Sequence, residues 1–349
     1  MTVRTAPDIG SVQGILRLGN AYCEAQALLT AVELGLFTAL HKAPGTEQDV
    51  RDRLALDGRG LRDFLALLAG LGLLEEEGGR YRNAEGADRH LVSGTPGYVG
   101  GSLLGAKANL YPLWNGLTET LRTGRPRAEA DGFDAMLGDP VELRRYVRMM
   151  EGALRPLVPE LLKAVDWPAH RSVLDVGGCA GDLVGRLVAD HPGLTGHVFD
   201  LPQMRAPFDE RMAALGLSGR AVFHAGDFFR DPLPRADVLV FGHVLHNWSP
   251  GRREILMRKA FEAVNPGGVL LVHDRMLTEG GADGGADGGA DGGVDVDGHV
   301  ASLIMALVTE EGSEYGAGEL TALADAAGFT STSCRPLAEN ETLVLCHKG

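Results

Sequence analysis

Cysteine is scarce in this sequence, and none of it is arranged to bind a metal. The four thiols, Cys23, Cys179, Cys334 and Cys346, stand far apart with no Cys-x-x-Cys spacing. They fit reduced thiols in a reducing compartment and offer neither a disulfide framework nor a zinc cluster. Long apolar runs are also missing: no stretch approaches the roughly 20 residues that span a bilayer, so no membrane partner is expected. The opening residues, MTVRTAPDIGSVQG, lack a basic start followed by an apolar stretch, which leads to an expected cytoplasmic location. Positive charge is in short supply too. Lys and Arg number 33 against 47 Asp and Glu, a formal net charge of −14, and no basic stripe gathers anywhere. A main partner that is a phosphate backbone is thereby disfavoured, because such binding relies on clustered cations. Asp283, Asp287, Asp291, Asp295 and Asp297 share one base-free segment, so the remainder of the chain is only moderately acidic.

What is present is a globular composition: 349 residues, 44% hydrophobic and 23% charged, enough for two domains that each bury a core. The first third reads as helices. Apolar residues recur at helical spacing in EAQALLTAVELGLFTAL and again at Leu61, Phe64, Leu65, Leu67, Leu68 and Leu71. Thr46 and Asp49 suit a helix start, Asp57-Gly58 a turn, and EEEGGRYRN places Gly-Gly between two short extended runs. Helix, turn, helix and hairpin form a winged-helix pattern. We expect this mainly α domain over residues 1–100 and a helical connector over 101–165.

From about residue 166 the texture changes. Short β-branched runs, SVLDV, GHVFDL, AVFHAG, DVLVFGHVL, GVLLVHDRM and ETLVLCHK, alternate with helical stretches, which predicts an α/β domain with a doubly wound, Rossmann-like parallel sheet over 166–349. Within it GGADGGADGGADGGVDVDG is a tetrad repeat too poor in apolar groups to repay ordering, and we read 280–297 as a flexible surface loop. Ligands of such sheets bind at the carboxyl ends of the strands.

Motifs fall at those ends. After SVLDV comes Asp175-Val-Gly177-Gly178-Cys179-Ala-Gly181, then a helical run. Glycines let a ligand approach the backbone, and the helix start offers free N–H groups. The next strand ends in Asp200, placed to accept from a ribose diol. The spacing is Asp-x-Gly-x-Cys-x-Gly rather than Gly-x-Gly-x-x-Gly, which favours S-adenosylmethionine over a dinucleotide.

These motifs, with AVELGLFTAL, LLAGLGLLEEEGGRYRN, GDFF at Gly226 to Phe229, HVLHNWS and NPGGVLLVHDRML, resemble the class I S-adenosylmethionine-dependent O-methyltransferases related to the caffeate and acetylserotonin enzymes and to bacterial antibiotic-pathway relatives. The resemblance covers nearly the whole chain. It implies that Gly177 lines the cofactor, Asp200 holds its ribose, and Asp227 with Phe228 borders the adenine. Asp175, Gly178, Leu201, Gly226 and Trp248 belong to the same expected cofactor set. Glycine is commoner in the family where this chain has Cys179. The resemblance further implies transfer of a methyl group to a phenolic hydroxyl, with S-adenosylhomocysteine as second product, no metal, and a homodimer formed through the N-terminal domain.

His246, just past the run DVLVFGHVL, is the expected general base, because neutral imidazole suits removal of a phenolic proton near pH 7. The family's His-Asx-Trp element, His246-Asn247-Trp248 here, sets it apart from a histidine that merely packs; His243 is read as a packing residue still within the strand. Asp274 and Glu314 match the family's two acids and would orient His246, with Glu310 and Glu311 as competitors for the second place. Met150, Tyr111, Trp114 and Asn247 are the expected acceptor contacts, the first three as flat or pliable surface between the domains. An acceptor carboxylate would have Arg122, Arg125 or Arg148 to meet. Two other readings stand beside this one: a methyltransferase-fold enzyme that catalyses a non-methylating step such as hydroxylation, decarboxylation or a pericyclic reaction, and a winged-helix DNA-binding regulator. Few bases support the latter beyond Arg59 and Arg62.

Overall fold

The computed structural model describes residues 9–127, 132–278, 294–338 and 340–349. The chain divides into two compact units, Met1–Asn115 and Gly116–Gly349, so the boundary cuts the helical stretch 101–165.

In the first unit the apolar run around residue 35 folds as two helices, Ala21–Glu33 and Leu36–Lys42, because Gly35 sits at φ +69, where a glycine breaks the helix without strain. Thr46 opens the helix Glu47–Leu54 with a reciprocal capping box to Asp49. The helix Leu61–Gly70 turns Leu61, Leu65 and Leu68 inward, onto a core shared with Leu36, Phe37, Leu40 and Val50. Strands β1 (Gly45–Thr46), β2 (Leu74–Glu77) and β3 (Arg80–Asn83) form an antiparallel sheet in the order β1-β3-β2, with Gly78 and Gly79 turning between the last two. This is the helix–helix–hairpin arrangement read from the sequence.

The second unit is built on seven strands: β4 (Ser172–Val176), β5 (Thr195–Asp200), β6 (Ala221–Ala225), β7 (Ala236–Gly242), β8 (Val264–Asp274), β9 (Ser331–Ala338) and β10 (Glu341–His347). Their order is β6-β5-β4-β7-β8-β10-β9. β4 to β8 run parallel, whereas β10 pairs antiparallel with both β8 and β9. Of the runs read into the parallel sheet, the last, ETLVLCHK, is antiparallel instead: β9 and β10 are joined by two residues, a connection only antiparallel strands allow. β9 itself escaped the sequence reading because its residues, STSCRPLA, are mostly exposed and carry no apolar run. Alternate residues supply two cores, Leu174, Phe241, Leu270 and Val272 on one face and Val173, Val240, Leu271 and Leu343 on the other.

Most of the Gly/Asp segment, residues 279–293, lies outside the described residues. Its end does not: Asp295 caps the helix Val296–Val308 by accepting from Gly298 N at 2.8 Å, so residues 296 and 297 are helical rather than loop. Among the described residues no single helix is long and apolar enough to cross a membrane.

Candidate active site

Strand order reverses between β4 and β7, and the groups singled out in the sequence gather at the carboxyl ends of those strands and of their neighbours β5, β6 and β8. After β4 the chain makes the turn Gly177–Gly181. Gly177 has φ +76, its N–H donates to Phe199 O at 2.8 Å, and a β-carbon there would lie 2.7 Å from Val244 Cγ2. A β-carbon on Gly178 would lie 2.6 Å from Asp175 Cγ. A side chain at either position would collide with the protein itself, so the turn requires glycine at both. Cys179 takes φ +53 in place of a glycine, and its thiol packs 3.9 Å from Met204 Sδ.

Two carboxylates stand under this turn. Asp200, at the end of β5, accepts from Cys179 N at 2.8 Å and from Leu201 N at 2.7 Å. Burial nevertheless pushes it up to about 6. Asp175 is pushed up to about 7 by burial, then by the charges of Asp200 and Asp182. Neither pairs with Lys or Arg among the described residues. Two buried acids beside the glycine turn suit a ligand carrying positive charge, as a sulfonium and an ammonium group do.

At the end of β6, Gly226 N donates to Asp200 O at 3.0 Å, which fastens the next loop beside the first. There Asp227 Oδ1 accepts from Phe229 N at 2.8 Å, and Phe228 and Phe229 meet the Trp248 ring edge-on, with centroids 5.8 and 4.6 Å away. Thus Asp175, Gly177, Gly178, Asp200, Leu201, Gly226, Asp227, Phe228 and Trp248 all lie on adjoining strand ends and loops.

His246 sits in a short 3-10 turn, Leu245–Asn247, beyond β7. Its Nδ1 is 3.2 Å from Glu314 Oε1 and 3.6 Å from Asp274 Oδ1. Burial alone would push the imidazole down; the Asp274 charge, then the hydrogen bond and charge of Glu314, outweigh it and raise the pKa above the ordinary histidine value. Asp274, wholly buried at the end of β8, accepts from the Tyr315 hydroxyl at 2.7 Å. Burial and that carboxylate keep the Tyr315 phenol far above the usual tyrosine range, so it remains a donor.

The competitor Glu311 is exposed and engaged with Ser249 and Arg252, leaving Glu314 as the acid at the imidazole. Arg253 explains how the two segments meet. Buried beneath the site, it donates from Nε to Leu245 O at 3.2 Å and from Nη2 to Ser313 O at 2.6 Å, while Ser313 N donates to His246 O at 2.9 Å. Nothing in the sequence marked Arg253 or Tyr315, since each reads as an ordinary helix or loop residue.

His243 is not within the strand. β7 ends at Gly242, and His243 follows it at φ +53 with its ring among Asp274, Glu341, His246 and His273. The Asn247 amide donates to His243 O at 3.0 Å and to Val244 O at 3.2 Å, which commits its donors to its own turn. Met150 is half-buried on the helix Pro140–Leu154 of this unit. Tyr111 and Trp114 belong to the first unit, where the Tyr111 hydroxyl donates to Tyr22 O at 3.4 Å.

Comparison with known proteins gives two family matches. A model described as an O-methyltransferase domain covers residues 114–330, and one described as an O-methyltransferase dimerisation domain covers residues 16–93. The chain is 39% identical to the tetracenomycin polyketide synthesis 8-O-methyl transferase TcmO of Streptomyces glaucescens, across 96% of each chain. It is 40% identical to the N,N-dimethyltransferase OxyT of Streptomyces rimosus, across 79% of this chain and 82% of that one. The structure of human N-acetylserotonin methyltransferase in complex with S-adenosylmethionine superposes with a TM-score of 0.78 at 26% identity, covering 99% of both chains.

Proposed function

The chain belongs to the S-adenosylmethionine-dependent O-methyltransferases, and we propose that its acceptor is a phenolic hydroxyl on a small polyketide-derived aromatic, with His246 as the base that takes the phenolic proton. The carrying observation is the His246 ring hydrogen-bonded at Nδ1 to Glu314 with the Asp274 carboxylate 3.6 Å away, in the turn whose Val244 packs over Gly177 of the glycine turn.

The cofactor, when bound, supplies a methyl group already activated on a sulfonium. Alignment and proton removal are then what the chain must provide. The turn Gly177–Gly181, with Asp175 beneath it, would hold the charged end, Asp200 would take the ribose, and Asp227, Phe228 and Trp248 would border the adenine. With Nδ1–H committed to the acids, Nε2 carries the lone pair that accepts the proton. Asp274 and Glu314 then stabilise the imidazolium, and Tyr315 and Arg253 keep those acids in place. Met150 is a candidate acceptor contact.

The acceptor class is supported by TcmO, which its name places in polyketide synthesis. OxyT, similar at 40% identity, is named for N-methylation, which favours a second reading in which an aromatic amine is the acceptor. Incubation with methyl-labelled cofactor and matched pairs of polycyclic phenols and anilines, read by mass spectrometry, separates the two. Label on oxygen alone supports the phenol reading, and label on nitrogen alone removes it. We further infer a homodimer built through the dimerisation unit, and a cytoplasmic setting that matches its four free thiols.

A further inference from the structure

His243 and Glu341 are outside the residues assigned to the cofactor and to the acceptor, yet both lie beside the acids of the site. The left-handed backbone of His243 is costly for a residue with a side chain, and it is held by donation from His243 N to His273 O at 3.0 Å. In that conformation Nδ1 lies 3.7 Å from Asp274 Oδ1 and Nε2 lies 3.4 Å from Glu341 Oε1. Asp274 Oδ1, which makes no hydrogen bond among the described residues, is also the oxygen 3.6 Å from His246 Nδ1. One carboxylate oxygen therefore faces two imidazoles, and each imidazole faces a further acid: Glu314 beside His246, Glu341 beside His243.

We propose that His243 and Glu341 are a positioning pair for the base: a protonated Glu341 donates to His243 Nε2, His243 Nδ1–H donates to Asp274 Oδ1, and Asp274 is thereby kept as the ionised partner of His246. The inference rests on the reading of His246 as base. A neutral imidazole has a single N–H, so a ring between two acids needs one of them to carry a proton or must be charged itself. Burial pushes His243 below the ordinary histidine value, while burial and then the Asp274 charge push Glu341 up to about 7. Below about pH 7 the proton accordingly sits on Glu341. Of the other groups facing it, Arg275 and His246 oppose this shift and Glu314 supports it. His273, driven down to about 3 by burial and then by His243, brings no charge. Neither separation is a hydrogen bond in this structure, so the pairing forms by a small shift of the His243 ring between the two acids.

The test uses the full-length protein labelled with 15N-histidine, in wild-type form and as His243→Phe, Glu341→Leu and Glu341→Gln. Two-bond 15N–1H spectra near pH 6 report the His243 tautomer, with His243→Phe identifying its signals. The Nδ1–H form is expected in the wild type, and the Nε2–H form or a charged ring would overturn the proposal. In kinetics, Glu341→Leu and His243→Phe should lower kcat roughly ten- to a hundredfold, with KM for the acceptor within about twofold. Glu341→Gln, whose amide N–H replaces the acid O–H, should recover most of that loss. Unchanged kcat in Glu341→Leu would also overturn the pairing. Failure of the base itself is distinguishable: transfer that survives in His246→Ala removes both readings, whereas its loss there beside full activity in Glu341→Leu removes only this one.

Discussion

The imidazole of His246 and the carboxylate of Glu314 stand 68 positions apart in the chain and 3.2 Å apart in space. A base works only when unprotonated, and the two acids raise this pKa above the ordinary histidine value. kcat/KM should therefore fall on acidification with a midpoint above that value. Glu314→Gln removes one negative charge, which should move the midpoint to lower pH and lower kcat about tenfold. Rate profiles of the two proteins check this; coincident acid limbs would count against Glu314.

Cofactor affinity should depend on pH through different groups. Asp200 and Asp175 are pushed up to about 6 and about 7 by burial, and a cationic ligand favours their ionised forms. Acidification through that range must weaken binding, because protons have to leave as the ligand enters. Calorimetry in two buffers of different ionisation enthalpy should show proton release near pH 6, and Asp200→Asn should lose at least about tenfold in affinity. A Kd flat with pH would contradict the assignment.

Gly177 is held at φ +76 with Val244 Cγ2 only 2.7 Å from where a β-carbon would stand. Gly177→Ala should cost about 1–2 kcal/mol from the backbone alone, with the clash added. Adding Val244→Ala should relieve the clash and leave the backbone part. Denaturant midpoints of the three proteins measure both, and an unaltered midpoint in Gly177→Ala would contradict the described turn.

The sequence legibility of the site followed chain locality. Groups carried by short contiguous motifs, the glycine turn, Asp200 and His246, were readable because each motif sets one strand end. Asp274 and Glu314 needed the family resemblance, since nothing in a sequence says which acid meets a histidine 28 or 68 positions away. Arg253, Tyr315 and Glu341 escaped because their roles exist only through long-range packing. His243 was read as part of the strand, which ends one residue earlier: a left-handed residue at a strand end has no sequence signature when it is not glycine. β9 was missed for the opposite reason, an exposed edge without alternation.

The helix Val12–Gly19 buries none of its residues, and Val12, Ile15 and Leu16 are 67, 58 and 59% exposed. A homodimer that covers this apolar face explains their exposure in a single chain. Ile15→Glu combined with Leu16→Glu should sediment as a monomer at micromolar concentration while the wild type sediments as a dimer. A wild-type monomer would contradict the dimer.

The central claim is that His246 removes the acceptor proton, and one experiment meets it directly. Wild type and His246→Ala are mixed with methyl-labelled cofactor and a phenol that the wild type methylates, in single turnover, with cofactor affinity measured on the same samples. We predict a fall of at least about a hundredfold in transfer rate with unchanged cofactor Kd. A variant that transfers at the wild-type rate would contradict the account.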